Sequence, residues 1–460
     1  IMESISDLIQ TNRDGLGRLY DNHPEMKAIR GEFDAYLKKL GELDARPRIV
    51  TGHQPVIYYP GLLFKDFFVG AAARMQGGSA WNFIVDTDQA KMEVPVPWYD
   101  QGTYQKSYVA LPNQQEKTYA GFEPSRKDLD AFVRSLEDYI TKLPNKDIQQ
   151  TFLAWKNNLY TYLEETGGLI ESLSSMRNRF DAGLGYTVND PRISDLVSTY
   201  PYWHYIRYII KHLEAYSGAY NKAVEQGRNK EYQPVKFLHH RDGWYELPFW
   251  LEREGKRWPV WLQKKDSLLV FRANDLSSTI SIDTAQKDET SIIEELRGSL
   301  VLYPKATTLT QIIRLFIADV FVHGSGAVEY EKINNLFLKE FFGMEEKLPF
   351  LSVTGDIYLP LEEELPDYNT LQNSYRQKQK WLKEVGRNPE DLLANGQAQK
   401  YKERKKQIAQ KMGQEDDPGK RKSLHEQLEQ LNEEMKDHLS GQIERIRKQL
   451  ERYDHLLLKK

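Results

Sequence analysis

The sequence predicts an α/β fold in which a parallel-sheet core is interrupted by a helical segment and a small antiparallel β-meander, then followed by a C-terminal α-helical coiled coil. Three observations carry that expectation. Two strand–glycine loop–helix units stand far apart in the chain, at residues 48–86 and 300–353, and strands alternating with helices are the pattern of a parallel sheet. Between them, residues 247–272 alternate with a period of two and are broken by short turns. Residues 397–460 carry 28 charged side chains in 64 positions around a narrow apolar stripe.

At 460 residues the chain exceeds what one hydrophobic core usually holds, so about two or three structural units are expected. With 40% hydrophobic and 28% charged residues it has the apolar content of a folded protein. Its 63 Lys and Arg against 67 Asp and Glu leave a net charge of −4, which gives no global field to attract nucleic acid or an anionic membrane. Zero cysteines remove disulfides, thiolate metal sites and cysteine nucleophiles, and fit a reducing compartment. The first residues, Ile1 to Ser4, form neither a basic start nor an apolar run, and no stretch approaches the roughly 18 apolar residues of a membrane span. A cytoplasmic chain with neither nucleic acid nor membrane as partner is expected.

Taken in order, Ile5, Leu8, Ile9, Leu16 and Leu19 and then Phe33, Tyr36, Leu37 and Leu40 fall at helical spacing. Arg48 to Val50 is a short strand that runs into Thr51-Gly52-His53-Gln54-Pro55, and a helix starts near Pro60. Trp81 to Val85 is a second strand ending at Asp86-Thr87-Asp88, which completes a β-α-β unit with its loops at the carboxyl ends of the strands. Short strands around Val94 to Trp98 and Tyr104 to Leu111 extend the region. A helical segment runs from Ser125 to about residue 225, interrupted by a Gly/Asn/Pro-rich stretch from Asp181 to Pro191, and its aromatic helix Trp203 to Tyr220 reads as core. A three-stranded meander follows over Leu247–Glu252, Trp258–Gln263 and Ser267–Arg272. The parallel pattern resumes at Leu300–Leu302, with a helix over Leu309–Ile317, a strand at Asp319–Val322, the loop His323 to Gly326, a helix to Phe342 and a strand at Phe350–Val353. Residues 1–125 then hold the N-terminal helices and the first half of the core, 126–290 the inserted segments, 291–365 the second half of the core and 366–460 the arm.

In the arm, Leu424, Leu428, Leu431 and Met435 follow a 4-3-4 rhythm, Leu439 and Ile443 insert extra fours, and Ile446, Leu450, Tyr453 and Leu457 resume heptad spacing. A turn at Gly413 to Gly419 folds back a shorter helix that carries Tyr401, Ile408 and Met412. So narrow a stripe predicts a homodimer through the coiled coil.

Chemistry is expected at two loops. A glycine-containing turn between a strand and a helix presents backbone N–H groups and the helix dipole to an anion, which makes Thr51, Gly52, Gln54, Tyr59, Gly61 and Lys65 candidate substrate-binding residues. The second unit repeats the pattern with Lys305, Gly324, Ser325, Gly326, Glu329 and Tyr330. His53, Asp86, Asp88 and His323 are the acid–base candidates, since loops opposed where a sheet reverses its order enclose a cleft. Alternate residues of an extended Asp86-Thr87-Asp88 would point the same way and could hold one substrate amine, ribose or metal ion, although capping of a loop is the commoner use of such a pair. No metal site is assigned. His239-His240 with Asp242 precede the meander without a helical i,i+4 pair and read as a turn.

The run from Ile49 through Thr51-Gly52-His53-Gln54-Pro55 to Pro60-Gly61-Leu62-Leu63-Phe64-Lys65 resembles the "TGQQ…TGPLYT..K" segment of the cysteine ligases of bacillithiol biosynthesis. Asp86-Thr87-Asp88 lies where that family has "EDHD", and Pro304-Lys305 through Phe321-Val322-His323-Gly324-Ser325-Gly326 to Tyr330 is similar to its "RP…Q…FIAGPGE..YW" segment. The resemblance implies a Rossmann-like core with inserted connecting segments, a dimerising arm, and an enzyme that joins cysteine to glucosaminyl-malate in low-molecular-weight thiol biosynthesis. Three departures stand beside it: His53 replaces the first Gln, the acidic motif lacks its His, and Ala327 replaces the Glu after the second glycine. The H-Q-P run also resembles WbqC-type proteins of surface-polysaccharide pathways, which implies the alternative of a sugar- or nucleotide-binding protein without ligase activity. The cofactor is left unknown, with ATP or another nucleotide as the activator suggested by the fold.

Overall fold

The computed structural model describes residues 4–40, 46–100, 103–114, 116–227, 235–273, 279–357, 368–393, 395–415 and 417–456. Among them the strands are, in chain order, β1 (Arg48–His53), β2 (Ser79–Ile84), β3 (Glu93–Asp100), β4 (Thr103–Ala110), β5 (Val188–Asn189), β6 (His240–Arg241), β7 (Trp244–Arg253), β8 (Lys256–Lys265), β9 (Leu268–Ala273), β10 (Thr279–Asp283), β11 (Leu302–Pro304), β12 (Val320–His323) and β13 (Leu351–Ser352). The chain divides into two compact units. One comprises residues 1–94, 109–134 and 154–357, the other residues 95–108, 135–153 and 358–460.

The first unit is mixed α/β and holds a five-stranded parallel sheet in the order β13-β12-β1-β2-β5. β1 lies at its centre, with Ile49 beside Val320 of β12 and Ala80 of β2. From β1 the chain passes through the helix Pro60–Met75 to β2 on one side, and from β12 it passes through the helix Val328–Phe342 to β13 on the other. The connections diverge between β1 and β12, and in open parallel sheets the carboxyl ends of the strands at such a place line the ligand crevice. Ile49, Val50, Val320 and Val322 are buried, because helices cover both faces of such a sheet. β5 comes from the Gly/Asn/Pro-rich interruption of the helical segment, a two-residue strand too short for an apolar pattern to reveal.

The meander is larger than the sequence predicts. β10, β9, β8, β7 and β11 form one antiparallel sheet, and β6 adds to β7. Leu302–Pro304, expected to resume the parallel sheet, instead pairs antiparallel with β7. A short apolar run does not encode which sheet it joins. Leu247, Phe249 and Leu251 face the core, as do Val260 and Leu262. The aromatic stretch is core as read but forms two helices, Tyr200–Lys211 and Leu213–Gln226: Tyr202, Trp203, Tyr205 and Tyr216 are buried, with Tyr202 donating to the Leu302 carbonyl at 2.6 Å and Tyr216 to Gln311 at 2.7 Å. The helix expected over Leu309–Ile317 is observed as Ala306–Ile312 with a π-helical turn at Ile313–Ile317, which carries the buried Arg314.

In the second unit β3 and β4 pair as a hairpin, separate from both larger sheets. Residues 135–153, the helices Tyr368–Arg387, Asn395–Gln414 and Pro418–Leu456, and the short turn Pro389–Leu392 belong to the same unit. Leu431, Met435 and Leu439 are buried, and Tyr401 with the partly buried Leu393 and Ile408 packs on Leu431 and Met435. Leu424, Leu428, Ile443, Ile446 and Leu450, on the same stripe, are only half-buried. Leu457 and part of the expected turn, Asp416, lie outside the described residues. No helix among the described residues is long and apolar enough to cross a membrane.

Candidate functional site

The loop that leaves β1 is shaped by its glycine. A Cβ on Gly52 would stand 3.1 Å from the Phe83 carbonyl oxygen and 3.5 Å from the Phe83 Cβ, so a side chain here would require the β2 backbone to give way slightly. Thr51 donates its hydroxyl to the Val322 carbonyl at 2.9 Å, fastening β1 to β12 at the point where the crevice opens. The helix that follows begins at Pro60 behind the exposed Tyr59, and it has no side-chain cap. A Cβ on Gly61 would press on the Tyr59 ring at 3.1 Å.

Lys65 lies on the second turn of that helix, is 4% exposed, and donates from Nζ to the Gly52 carbonyl at 3.0 Å. Burial pushes its pKa down, against the neighbouring Asp66 carboxylate. Its charge is felt on both sides of the crevice. Burial lowers the His53 pKa to about 4 and Lys65 adds to the effect. Burial also lowers His323, opposed by Glu331, and Lys65 contributes there too. Both imidazoles are therefore neutral at pH 7.

Of the paired carboxylates, Asp88 belongs to this site and Asp86 serves the fold. Gln54 donates from Nε2 to Asp88 Oδ2 at 2.7 Å, and Arg257 of β8 forms an ion pair with the other Asp88 oxygen. Asp86 is buried and accepts the Ser194 backbone N–H at 2.9 Å together with the Ser194 hydroxyl, at the start of the helix Ile193–Leu196. Burial raises the Asp86 pKa, against those hydrogen bonds. The two carboxylates do not converge, because the chain turns at Asp86-Thr87 where an extended segment was expected.

The second loop splits in the same way. His323 is buried, with Nε2 3.2 Å from Glu331 Oε1 and its ring edge-on to Phe321, Tyr330 and Phe350. Burial would raise Glu331, but its ion pair with Arg314 and the His323 contact prevail and hold the carboxyl at about 2. His323 is thus a packed member of a buried network. Ser325 and Gly326 are exposed and Gly324 is half-buried, so the loop tip faces outward. Glu329 pairs with Lys332 at 2.6 Å on the helix surface.

Lys305 joins the site from a third direction. Its Nζ donates to Glu246 Oε1 at 2.5 Å and lies 5.0 Å from the centroid of Trp250, while the Arg257 guanidinium lies 5.1 Å from the same ring. Gln54, Asp88, Arg257, Trp250, Lys305 and Glu246 form one continuous chain of contacts. Sequence reasoning missed Trp250, Arg257 and Glu246. Strand alternation places Trp250 opposite Phe249 and Leu251, but nothing local gives its partners. It also missed a buried cluster next to Lys65, in which Arg177 meets Asp66, Asp181 and Asp190 and donates to Tyr58 at 3.3 Å. No group of three or more His, Asp or Glu side chains suited to a metal ion occurs among the described residues.

At the ends of β1 and β12 stand a buried ammonium, the neutral imidazole of His53, an ion-paired carboxylate and two uncapped helix starts, with the His323 ring packed behind them. Such groups are of the kind that suit an anion and a proton acceptor. No family model matches the sequence, and no curated protein matches it either.

Proposed function

We propose that the chain is a carbon–nitrogen ligase that forms an amide between an amino acid, cysteine in the family it resembles, and a small anionic amino-sugar conjugate such as glucosaminyl-malate. The reading takes the parallel sheet as a Rossmann-like core and the arm as a dimerising coiled coil. The observation that supports it most is Lys65, a buried ammonium seated on the Gly52 carbonyl in the first of the two loops at the reversal of the sheet. In amide formation the amine nitrogen bonds to an activated carboxyl carbon, the leaving group departs with its electron pair, and the amine gives up a proton. Lys65 would stabilise charge on the carboxyl oxygen. His53, neutral and half-buried, would accept the proton, and an anion seated beside Lys65 would lift the imidazole's pKa toward the working range. Asp88, Gln54 and Lys305 would bind, whereas Asp86 and His323 hold the walls.

A nucleoside triphosphate, when bound, would supply the leaving group. Gly324, Ser325 and Gly326 would be the residues to hold its phosphates, since open space lies beside both glycines where a Cβ would point. The test is incubation of the protein with cysteine, glucosaminyl-malate and ATP, read by mass spectrometry. The expected result is a product with the mass of the amide; a folded sample that makes none sinks the reading.

The burial of Asp86 and His323 in structural roles favours one competing reading, a WbqC-like protein that binds a sugar or nucleotide without ligation. His53→Ala and Asp88→Ala separate the two. Lost turnover with retained affinity supports the ligase, while lost affinity with no turnover from any variant supports the binder.

A further inference from the structure

We propose that Trp250, Arg257 and Lys305, all from the antiparallel sheet and its exit, form the subsite that reads the carboxylates of the acceptor substrate. The inference rests on the ligase reading and deepens it by naming where the acidic arm of the conjugate docks. Arg257 and Lys305 sit 5.1 and 5.0 Å from the centroid of one indole, so the two charges stand no more than about 10 Å apart. A cation against an aromatic face is held in place by the ring quadrupole and keeps its hydrogen-bonding capacity. Arg257 has five N–H donors and its described ion pair, to Asp88, employs one nitrogen. Lys305 has three, of which one goes to Glu246. The side chains are 24% and 17% exposed, so both can be reached from solvent. Lys236 adds a further positive charge near Lys305.

The geometry selects a ligand class. Two cations with spare donors beside one indole match a short dicarboxylate such as the malyl group, whose planar carboxylate suits the guanidinium fork. A neutral sugar would leave both cations without a ligand partner. The position is also apt. Arg257 is one side chain removed from Gln54 through Asp88, so a carboxylate docked there would place the rest of the conjugate toward His53 and Lys65.

The experiment compares the full-length protein with its Arg257→Gln, Arg257→Lys, Lys305→Gln and Trp250→Phe variants. Calorimetric binding is measured for glucosaminyl-malate and for methyl glucosaminide, which lacks carboxylates, and product formation is followed by mass spectrometry. The expected result is a loss of glucosaminyl-malate affinity of about tenfold or more in each Gln variant, a smaller loss in Arg257→Lys, and less than about twofold change for methyl glucosaminide. Equal weakening of both probes, no change in either, or no binding of glucosaminyl-malate to the unaltered protein overturns the inference. Should Arg257→Gln fail to fold, Lys305→Gln carries the same test. Product formation with an unchanged KM for the acid in the variants sinks this subsite and leaves the ligase standing. Charge-selective binding without product sinks the ligase and leaves the subsite.

Discussion

Arg177 Nε lies 3.3 Å from Asp66 Oδ2 in the interior beside Lys65, and the same guanidinium also meets Asp181 and Asp190. Both side chains are almost wholly buried, Arg177 at 7% and Asp66 at 1% exposure. One cation thus holds carboxylates from two helices and from the residue that follows β5.

Replacing Arg177 with Met should leave buried carboxylates without their counter-charge, which costs roughly 3–5 kcal/mol. Urea unfolding would show a lower midpoint with an unchanged slope. A loss below about 1 kcal/mol would mean that the carboxylates are relieved some other way, such as protonation.

The lowered pKa of His53 makes stability depend on pH. The unfolded chain takes up a proton near 6.5, whereas the folded protein does so near 4. Between those values the unfolded state binds more protons, so stability should be complete above pH 6.5 and fall as the pH drops toward 4, by on the order of 2 kcal/mol. His53→Gln should flatten that part of the profile, measured by denaturant unfolding at a series of pH values. An unchanged slope would assign it elsewhere.

Gly52→Ala should push β1 away from β2, since the new methyl meets the Phe83 carbonyl oxygen at 3.1 Å. Backbone cannot yield as a side chain does, and the cost should be about 1–3 kcal/mol. A lower melting temperature with reduced ligand affinity is expected, because Lys65 is anchored on the Gly52 carbonyl. Gly52→Ala at full stability would show that the strands can separate freely.

The half-buried Ile446 and Leu450, beyond the buried Leu431, Met435 and Leu439, leave the far part of the arm's stripe incompletely covered within one chain. A second copy would cover it, each buried aliphatic side chain contributing roughly 1.5–3 kcal/mol. The intact protein should sediment as a dimer, and Ile446→Glu with Leu450→Glu should shift it to a monomer. Sedimentation of the intact protein as a monomer at micromolar concentration would show that the arm is self-sufficient.

What was legible in the sequence was what is encoded locally. The loops after β1 and β12 announce themselves through a short apolar run, a glycine and a helix start. The aromatic stretch is read from spacing alone, and its Trp203 and Tyr216 are indeed buried. The pair Asp86 and Asp88 was misread because alternation holds only in extended chain, and the backbone turns there. Arg257 was invisible for a different reason. Its partner Asp88 lies far away in sequence, and only the meander's fold brings a β8 side chain to the end of β2. The strand β5 has two residues, too few for a period to exist.

The seam between β1 and β12 has a consequence for synthesis. Thr51 and Val322 are bonded across it although 271 residues separate them. While the ribosome makes the chain, β1 emerges early and has one natural neighbour available in β2, yet its other edge stays unpaired until β12 appears. An apolar parallel strand with an open edge is prone to wrong pairing, and contacts this distant form slowly. Nascent chains of this protein should therefore engage holding chaperones until β12 has emerged and can pair with β1.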